Sequence, residues 1–137
     1  KAMIKKAKEA ASEIKSHPKI LIVTVLTSLN DSDLKTIGYN NSVIKKVEHL
    51  AKMAKEMEVG VVCSGHEAKT VRKILGYNLQ IFSPGIRMPG DNSDDQQRVC
   101  TPLESIKNGS DKIIMGRSLI KGNIEENLNQ VAESIKT

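Results

Sequence analysis

The chain has 137 residues, 39% hydrophobic and 27% charged, which is the composition of a folded domain with one hydrophobic core. A domain of this length buries roughly 68% of the surface of its unfolded chain, which excludes small scaffolds that depend on disulfides or a structural metal. The net charge of +5 is spread along the sequence and only 2% of residues are aromatic, so a phosphorylated small molecule is a suitable ligand and single-stranded nucleic acid is not an expected partner.

Neither a membrane span nor a targeting segment is expected. The longest apolar run, residues 20–26, is far shorter than the ~18 residues that cross a bilayer. Residues 3–11 already have a helical pattern without a signal-peptide core, so we expect this chain to lack its natural N-terminal part. Cys63 and Cys100 form no CxxC pattern, and we expect reduced thiols in a cytoplasmic protein without a metal site.

Four short apolar runs rich in β-branched residues follow the opening helix. They predict strands at residues 20–26, 59–63, 79–82 and 112–115. Each run is nearly continuous rather than alternating, which is typical of parallel strands buried on both faces.

Helical patterns separate and follow these strands. Helices are predicted at residues 42–58, 66–75 and 101–108, and a last helix begins after Asn123 as its N-cap. Its apolar stripe is expected to consist of Leu128, Val131, Ala132 and Ile135. One helix followed by four β–α repeats fits either an open doubly wound sheet or part of a (βα)₈ barrel.

The residues that follow each strand favour the barrel. Small, polar or glycine residues stand there: Thr27-Ser28, Ser64-Gly65, Ser83-Pro84-Gly85 and Gly116-Arg117. In a barrel these carboxyl ends converge on the ligand-binding face, and the sequence contains neither GxGxxG nor GxxxxGK[ST]. A whole (βα)₈ TIM barrel needs about 250 residues, so residues 1–137 are expected to form the second half of one domain, strands five to eight.

Gly116 and Arg117 directly after the last strand predict a phosphate site. Glycine lets a phosphate approach backbone N–H groups, and the arginine offers a fork of donors that matches phosphate oxygens. Loops after strands seven and eight are the usual phosphate site of this fold. A glycine turn with a solvated arginine is the alternative.

Residues 83–98 have no apolar periodicity and follow the third strand. A segment of this length suggests a lid with hinges at Gly85 and Gly90, which would bring Arg87 and Gln96 over an anion. A solvated surface loop is the alternative, and for Asp94-Asp95 we expect solubility or lid geometry rather than acid–base chemistry.

Thr24 and Thr27 close the first strand, and their odd spacing places only one of them in a barrel mouth if the strand stays regular through Thr27. Thr27 is nearer the end and is the better candidate for contacting a ligand. For Cys63 a small buried apolar role is expected.

Together these segments resemble the orotidine 5'-monophosphate decarboxylase family. The resemblance rests on residues 22–28, 60–64, 83–87 with Asp95-Gln96 and 98–102, and 109–111 followed by Gly116-Arg117, in order across nearly the whole chain. It implies a (βα)₈ barrel, usually a homodimer, that converts orotidine monophosphate to uridine monophosphate without metal or organic cofactor.

The resemblance also implies a role for each matching residue. Thr27 would contact the pyrimidine, Arg87 and Gln96 would belong to the loop that grips the phosphate, and Gly116 with Arg117 would hold the phosphate. The family's catalytic lysine and aspartates lie in an Asp-x-Lys-x-x-Asp motif upstream of this chain. No segment here matches it, and no catalytic residue is expected in residues 1–137.

Two other readings stay open. One is another phosphate-binding barrel, such as a sugar-phosphate decarboxylase or epimerase, and the other is a non-catalytic half barrel that binds a phosphorylated ligand. Because a half barrel has two unpaired edges, we expect it to associate with its missing half or with a copy of itself.

Overall fold

The computed structural model describes residues 1–92 and 95–136, so Ser93 and Asp94 of the predicted lid lie outside the described residues. Helices and strands alternate along the chain. In order they are α1 (Ala2–Ser12), β1 (Leu21–Val23), α2 (Asp31–Thr36), α3 (Val43–Glu56), β2 (Gly60–Val62), α4 (Ala68–Leu75), β3 (Ile81–Ser83), α5 (Pro102–Lys107), β4 (Lys112–Ile113), α6 (Arg117–Ile120) and α7 (Ile124–Ser134).

The four strands form one parallel sheet in the order β1-β2-β3-β4. Ile22 pairs with Val61, and Val61 in turn with Ile81. The strand order does not reverse, as it would in a doubly wound sheet, and each strand lies beside its neighbour in sequence as in a barrel. The predicted parallel arrangement and the half barrel are therefore confirmed.

The strands are shorter than the apolar runs predicted. β1 ends at Val23, and the Thr24 hydroxyl donates to the carbonyl of Val62 at 2.9 Å. The Thr24 backbone N–H still donates to the same carbonyl at 3.0 Å, but a bend follows at Val25 and a turn at Thr27. The condition for regular alternation through Thr27 is thus not met.

Helix α2 is an element that the apolar pattern did not show. Asn30 caps it: its side chain accepts from the backbone N–H of Asp33, and the Asp33 carboxylate accepts from the backbone N–H of Asn30. Such reciprocal capping stabilises even a short helix. The helices that the sequence pattern did predict are α1, α3, α4, α5 and α7, and each lies within about two residues of its expected bounds.

The core lies between the sheet and helices α3 and α4. Val47, Ala51 and Ala54 of α3 are fully buried, and they pack with Val61 and Ile81 of the strands. The buried positions of α3 repeat every three or four residues, which is the spacing of one helix face.

The opposite face of the sheet is less covered than predicted. Val23 of β1 is 57% exposed and Ile114 after β4 is 45% exposed. The expectation of strands buried on both faces is therefore wrong for β1 and β4, the two outer strands, each of which has an exposed residue. It is confirmed for β2 and β3, in which every residue is buried or half-buried. The predicted apolar stripe of α7 is likewise open, with Leu128 and Ile135 exposed. Among the described helices, none is both long and apolar enough to cross a membrane.

Candidate functional site

The five residues predicted from the sequence line one cavity at the carboxyl ends of the strands. Its volume is about 330 Å³. Thr27, Arg87, Gln96, Gly116 and Arg117 all belong to its wall. They come from the turn after β1, the segment after β3 and the turn after β4, so the strand ends converge as expected for a barrel.

Thr27 joins the end of β1 to the segment that follows β3. Its hydroxyl donates to the side-chain oxygen of Gln96, and its carbonyl accepts from the backbone N–H groups of Gln97 and Arg98 at 3.1 and 3.2 Å. Thr27 is buried. Of the two threonines, Thr27 therefore lines the cavity, whereas Thr24 bonds to a neighbouring strand.

Arg87 is buried and held by its own segment. Its guanidinium donates to the carbonyls of Asn92 at 3.2 Å and Ile86 at 3.0 Å. It also lines a smaller cavity of about 130 Å³, together with Arg117 and Lys121. The lining of this smaller cavity thus has three cationic side chains and one acidic side chain, Asp91, and this excess of positive charge favours an anion there.

The predicted lid is fixed at its base. Ile86 and Cys100 form a parallel bridge, and the N–H of Cys100 donates to the carbonyl of Gly85 at 3.1 Å. Gly85 has a positive φ of 73°, and an added Cβ would lie 3.2 Å from the carbonyl oxygen of Arg98. Gly85 is thus a tightly packed turn position, and its expected role as a hinge does not fit these contacts.

Gly116 and Arg117 stand at the start of α6. An added Cβ at Gly116 would meet no atom within 4 Å, so the backbone there is open toward the cavity. The Arg117 guanidinium forms an ion pair with Asp95. The hydrogen bond from Arg117 holds the pKa of the Asp95 carboxyl below its usual value. This ion pair therefore connects the predicted lid to the turn after β4.

Sequence reasoning missed one ion pair beside this cavity. Arg98 pairs with Glu67, and both side chains are largely buried, at 14% and 7% exposed. Burial raises the pKa of Glu67, while the charge and hydrogen bond of Arg98 oppose that rise. A signal was present in the sequence for Glu67 alone, because Ser64 and Glu67 have the Ser-x-x-Glu spacing of a capping box, and Glu67 does accept from the Ser64 N–H at 3.0 Å. No such signal was present for its partner Arg98.

The Gly109-Ser110-Asp111 part of the resemblance has a structural role at the other end of the strands. Asp111 accepts from Arg72 at 2.6 Å and from the N–H of Ile81 at 2.7 Å. Arg72 also donates to the carbonyls of Gly76, Leu79 and Gly109. This network ties α4 to the amino end of β3, away from the cavity.

The cysteines are buried and unreactive in character. Burial raises the pKa of Cys63 to about 12 and that of Cys100 to about 11. The thiolate is therefore disfavoured at both positions. Within the described part of the chain, no three His, Cys, Asp or Glu side chains are grouped so as to hold a metal ion.

A parallel sheet in sequential order, with its strand ends around a cationic cavity, defines the chain as half of a (βα)₈ barrel. Comparison with known proteins gives the family. The chain belongs to the Orotidine 5'-phosphate decarboxylase / HUMPS family, whose model matches residues 1–132.

The sequences of individual relatives support the same family. The chain is 41% identical over 122 residues to orotidine 5'-phosphate decarboxylase of Shewanella sediminis, and 43% identical over 120 residues to that of Wigglesworthia glossinidia brevipalpis. The matches cover 88% and 87% of this chain and 52% of each relative. The chain thus spans about half the length of these curated relatives.

Solved structures likewise match this chain over somewhat more than half of their own length. The crystal structure of orotidine 5'-phosphate decarboxylase from Lactobacillus acidophilus superposes with a TM-score of 0.78 at 30% identity, covering 98% of this chain and 58% of that protein. The enzyme from Pyrococcus horikoshii OT3 gives a TM-score of 0.63 at 20% identity, covering 94% of this chain and 56% of that one, and supports the fold alone.

Proposed function

We propose that this chain forms strands five to eight of a barrel that converts orotidine 5'-monophosphate to uridine 5'-monophosphate in pyrimidine biosynthesis. The observation that carries the proposal is the cavity of about 330 Å³ that all five candidate residues line. The relatives named above carry this activity in their names, and the family membership supports extending it to the complete protein.

In this proposal the residues of this chain bind the nucleotide, and they do not take part in breaking the bond between the ring carbon and the carboxylate that leaves as CO₂. Arg117, Arg87 and the open backbone at Gly116 would hold the phosphate, with Gln96 closing over it and Thr27 beside the pyrimidine. Arginine and bare backbone N–H groups are the donors that suit a phosphate dianion. Binding energy from the distant phosphate can then close the lid and exclude water from the ring.

The chemical step needs groups that this sequence does not carry. Loss of CO₂ leaves an electron pair on the ring carbon, and a proton must be delivered to that carbon. Without a cofactor to accept the electrons, fixed charges and a positioned ammonium have to lower the barrier. The resemblance places these in the Asp-x-Lys-x-x-Asp motif of the preceding half, so residues 1–137 alone are expected to be inactive. The complete protein is proposed as a cytoplasmic homodimer without cofactor.

The coding sequence upstream of Lys1 gives a first test. We expect an Asp-x-Lys-x-x-Asp motif shortly after a predicted strand. An initiator methionine directly at this junction would contradict the enzyme and support a non-catalytic half barrel that binds a phosphorylated ligand.

Kinetics of the protein that carries both halves give the second test. A charge-assisted hydrogen bond contributes about 1.5–3 kcal/mol, so Arg117→Ala should lower kcat/KM for the nucleotide by roughly 10- to 150-fold. The nucleoside without phosphate should be converted as before. Lys107→Ala, an exposed cation of α5, is the matched control and should change neither rate. Equal losses on nucleotide and nucleoside would refute the phosphate role of Arg117.

A further inference from the structure

Arg98 occupies the gap between the ends of β1 and β2. One guanidinium nitrogen pairs with the Glu67 carboxylate, and the other donates to the carbonyls of Val25 at 3.1 Å and Leu26 at 2.8 Å. The second oxygen of Glu67 accepts from the N–H of Ser64. One side chain thus connects the turns that follow two neighbouring strands.

The backbone of Arg98 is held by the same two turns. Its N–H donates to the carbonyl of Thr27 at 3.2 Å, and its carbonyl accepts from the Ser64 hydroxyl at 3.3 Å. Main chain and side chain of Arg98 are therefore fixed together. This makes Arg98 the point at which the predicted lid returns to the barrel.

Gln96 stands two residues before this point, so its Cα can lie no further than about 7 Å from that of Arg98. The Gln96 side chain meets Thr27 at the cavity, and Gln97 donates to the Thr27 carbonyl at 3.1 Å. Because only Gln97 separates the two residues, a shift of Arg98 should also move Gln96.

We propose that Glu67 and Arg98 are a positioning pair, which sets Gln96 against Thr27 at the cavity where the phosphate of a bound nucleotide would lie. The inference rests on the proposed function and adds two residues that contact neither the cavity nor the ligand. Glu67 holds the guanidinium from the β2 side, and Arg98 carries that constraint into the lid.

A second arginine–carboxylate pair provides a control, with a buried guanidinium and a partly exposed carboxylate. Arg72 and Asp111 are also joined to several backbone groups, but they lie at the amino end of β3, and none of their partners lines the cavity. Loss of either ion pair leaves a largely buried guanidinium without its carboxylate and should lower stability. Only the pair at the carboxyl ends should affect the nucleotide.

The test compares Glu67→Gln with Asp111→Asn in the protein that carries both halves. Because misplacement of a binding group by about 1 Å can cost on the order of 100-fold, Glu67→Gln should raise KM for the nucleotide roughly 10- to 100-fold with kcat little changed. Conversion of the nucleoside without phosphate should stay the same. Asp111→Asn should lower the melting temperature and leave KM unchanged.

Amide hydrogen exchange at Gln97 and Arg98 is measured on the same samples and needs no activity. Glu67→Gln should speed exchange at both amides, whereas Asp111→Asn should not. Arg98→Lys serves if Glu67→Gln does not fold, because lysine keeps the charge but cannot reach Glu67 and both carbonyls at once.

The outcomes separate the two proposals. If the unmutated protein with both halves is inactive, the proposed function is wrong. The exchange rates at Gln97 and Arg98 still test whether Glu67 and Arg98 position this segment. If neither KM nor exchange at Gln97 and Arg98 responds differently from the Asp111→Asn control, the pair is a structural element only and the inference is wrong.

Discussion

Replacing Asp111 by alanine tests how the Gly-Ser-Asp segment at residues 109–111 stabilises the fold. Asp111 accepts two hydrogen bonds, one from the buried guanidinium of Arg72 and one from the N–H of Ile81. The first is charge-assisted, about 1.5–3 kcal/mol, and leaving the second donor unsatisfied costs about 1–3 kcal/mol. Arg72 is 8% exposed but Asp111 is 38% exposed, so water replaces part of what is lost. We expect a loss of about 2–4 kcal/mol in the free energy of unfolding.

The melting temperature converts this loss into a measurable shift. For 137 residues the unfolding entropy near 60 °C is about 0.29 kcal/mol/K, so each kcal/mol moves Tm by about 3.5 °C. Asp111→Ala should therefore lower Tm by about 7–14 °C in a circular dichroism melt. Asp91→Ala is the control, since the exposed Asp91 accepts from the N–H of Met88 within a loop. A shift for Asp111→Ala no larger than that of Asp91→Ala would refute the reasoning.

Two further predictions concern burial and packing. Burial raises the thiol pKa to about 12 for Cys63 and about 11 for Cys100, so little thiolate is present at pH 8. A disulfide reagent should therefore label neither cysteine in the native state and both after unfolding in guanidinium. Rapid labelling of the native protein would contradict this. Gly60→Ala should cost about 1–3 kcal/mol, because its Cβ would collide with the Leu21 side chain and lie 2.7 Å from the Gln80 carbonyl. Gly116→Ala, which meets nothing, is the control, and equal stabilities would count against the packing argument.

The positions of the strands along the chain could be predicted from sequence because each apolar run is local and continuous. The residues after the runs also indicated where the strands end, and Gly116 and Arg117 follow β4 as expected. The set of five candidate residues depended on the resemblance, since spacing alone left the lid and the turn open to other readings. Their roles stay predictions.

Features that depend on contacts between distant segments were not predictable. Glu67 and Arg98 are 31 positions apart, and neither shows in its local sequence that the other lies beside it. The bridge between Ile86 and Cys100 likewise pairs residues across a segment without periodicity. Helix α2 has no apolar stripe that would predict its bounds, because its capping residues determine it.

The polar groups of the cavity already bind one another. Arg117 is paired with Asp95, and the Thr27 hydroxyl is bonded to Gln96. A ligand that binds Arg117 competes with Asp95 for the same guanidinium. The Arg117 and Asp95 side chains are 40% and 61% exposed, so their ion pair contributes little to stability and its exchange for another anion costs little. A phosphate dianion, the ligand proposed above, would bring more charge and more oxygens to Arg117 than the carboxylate of Asp95 does.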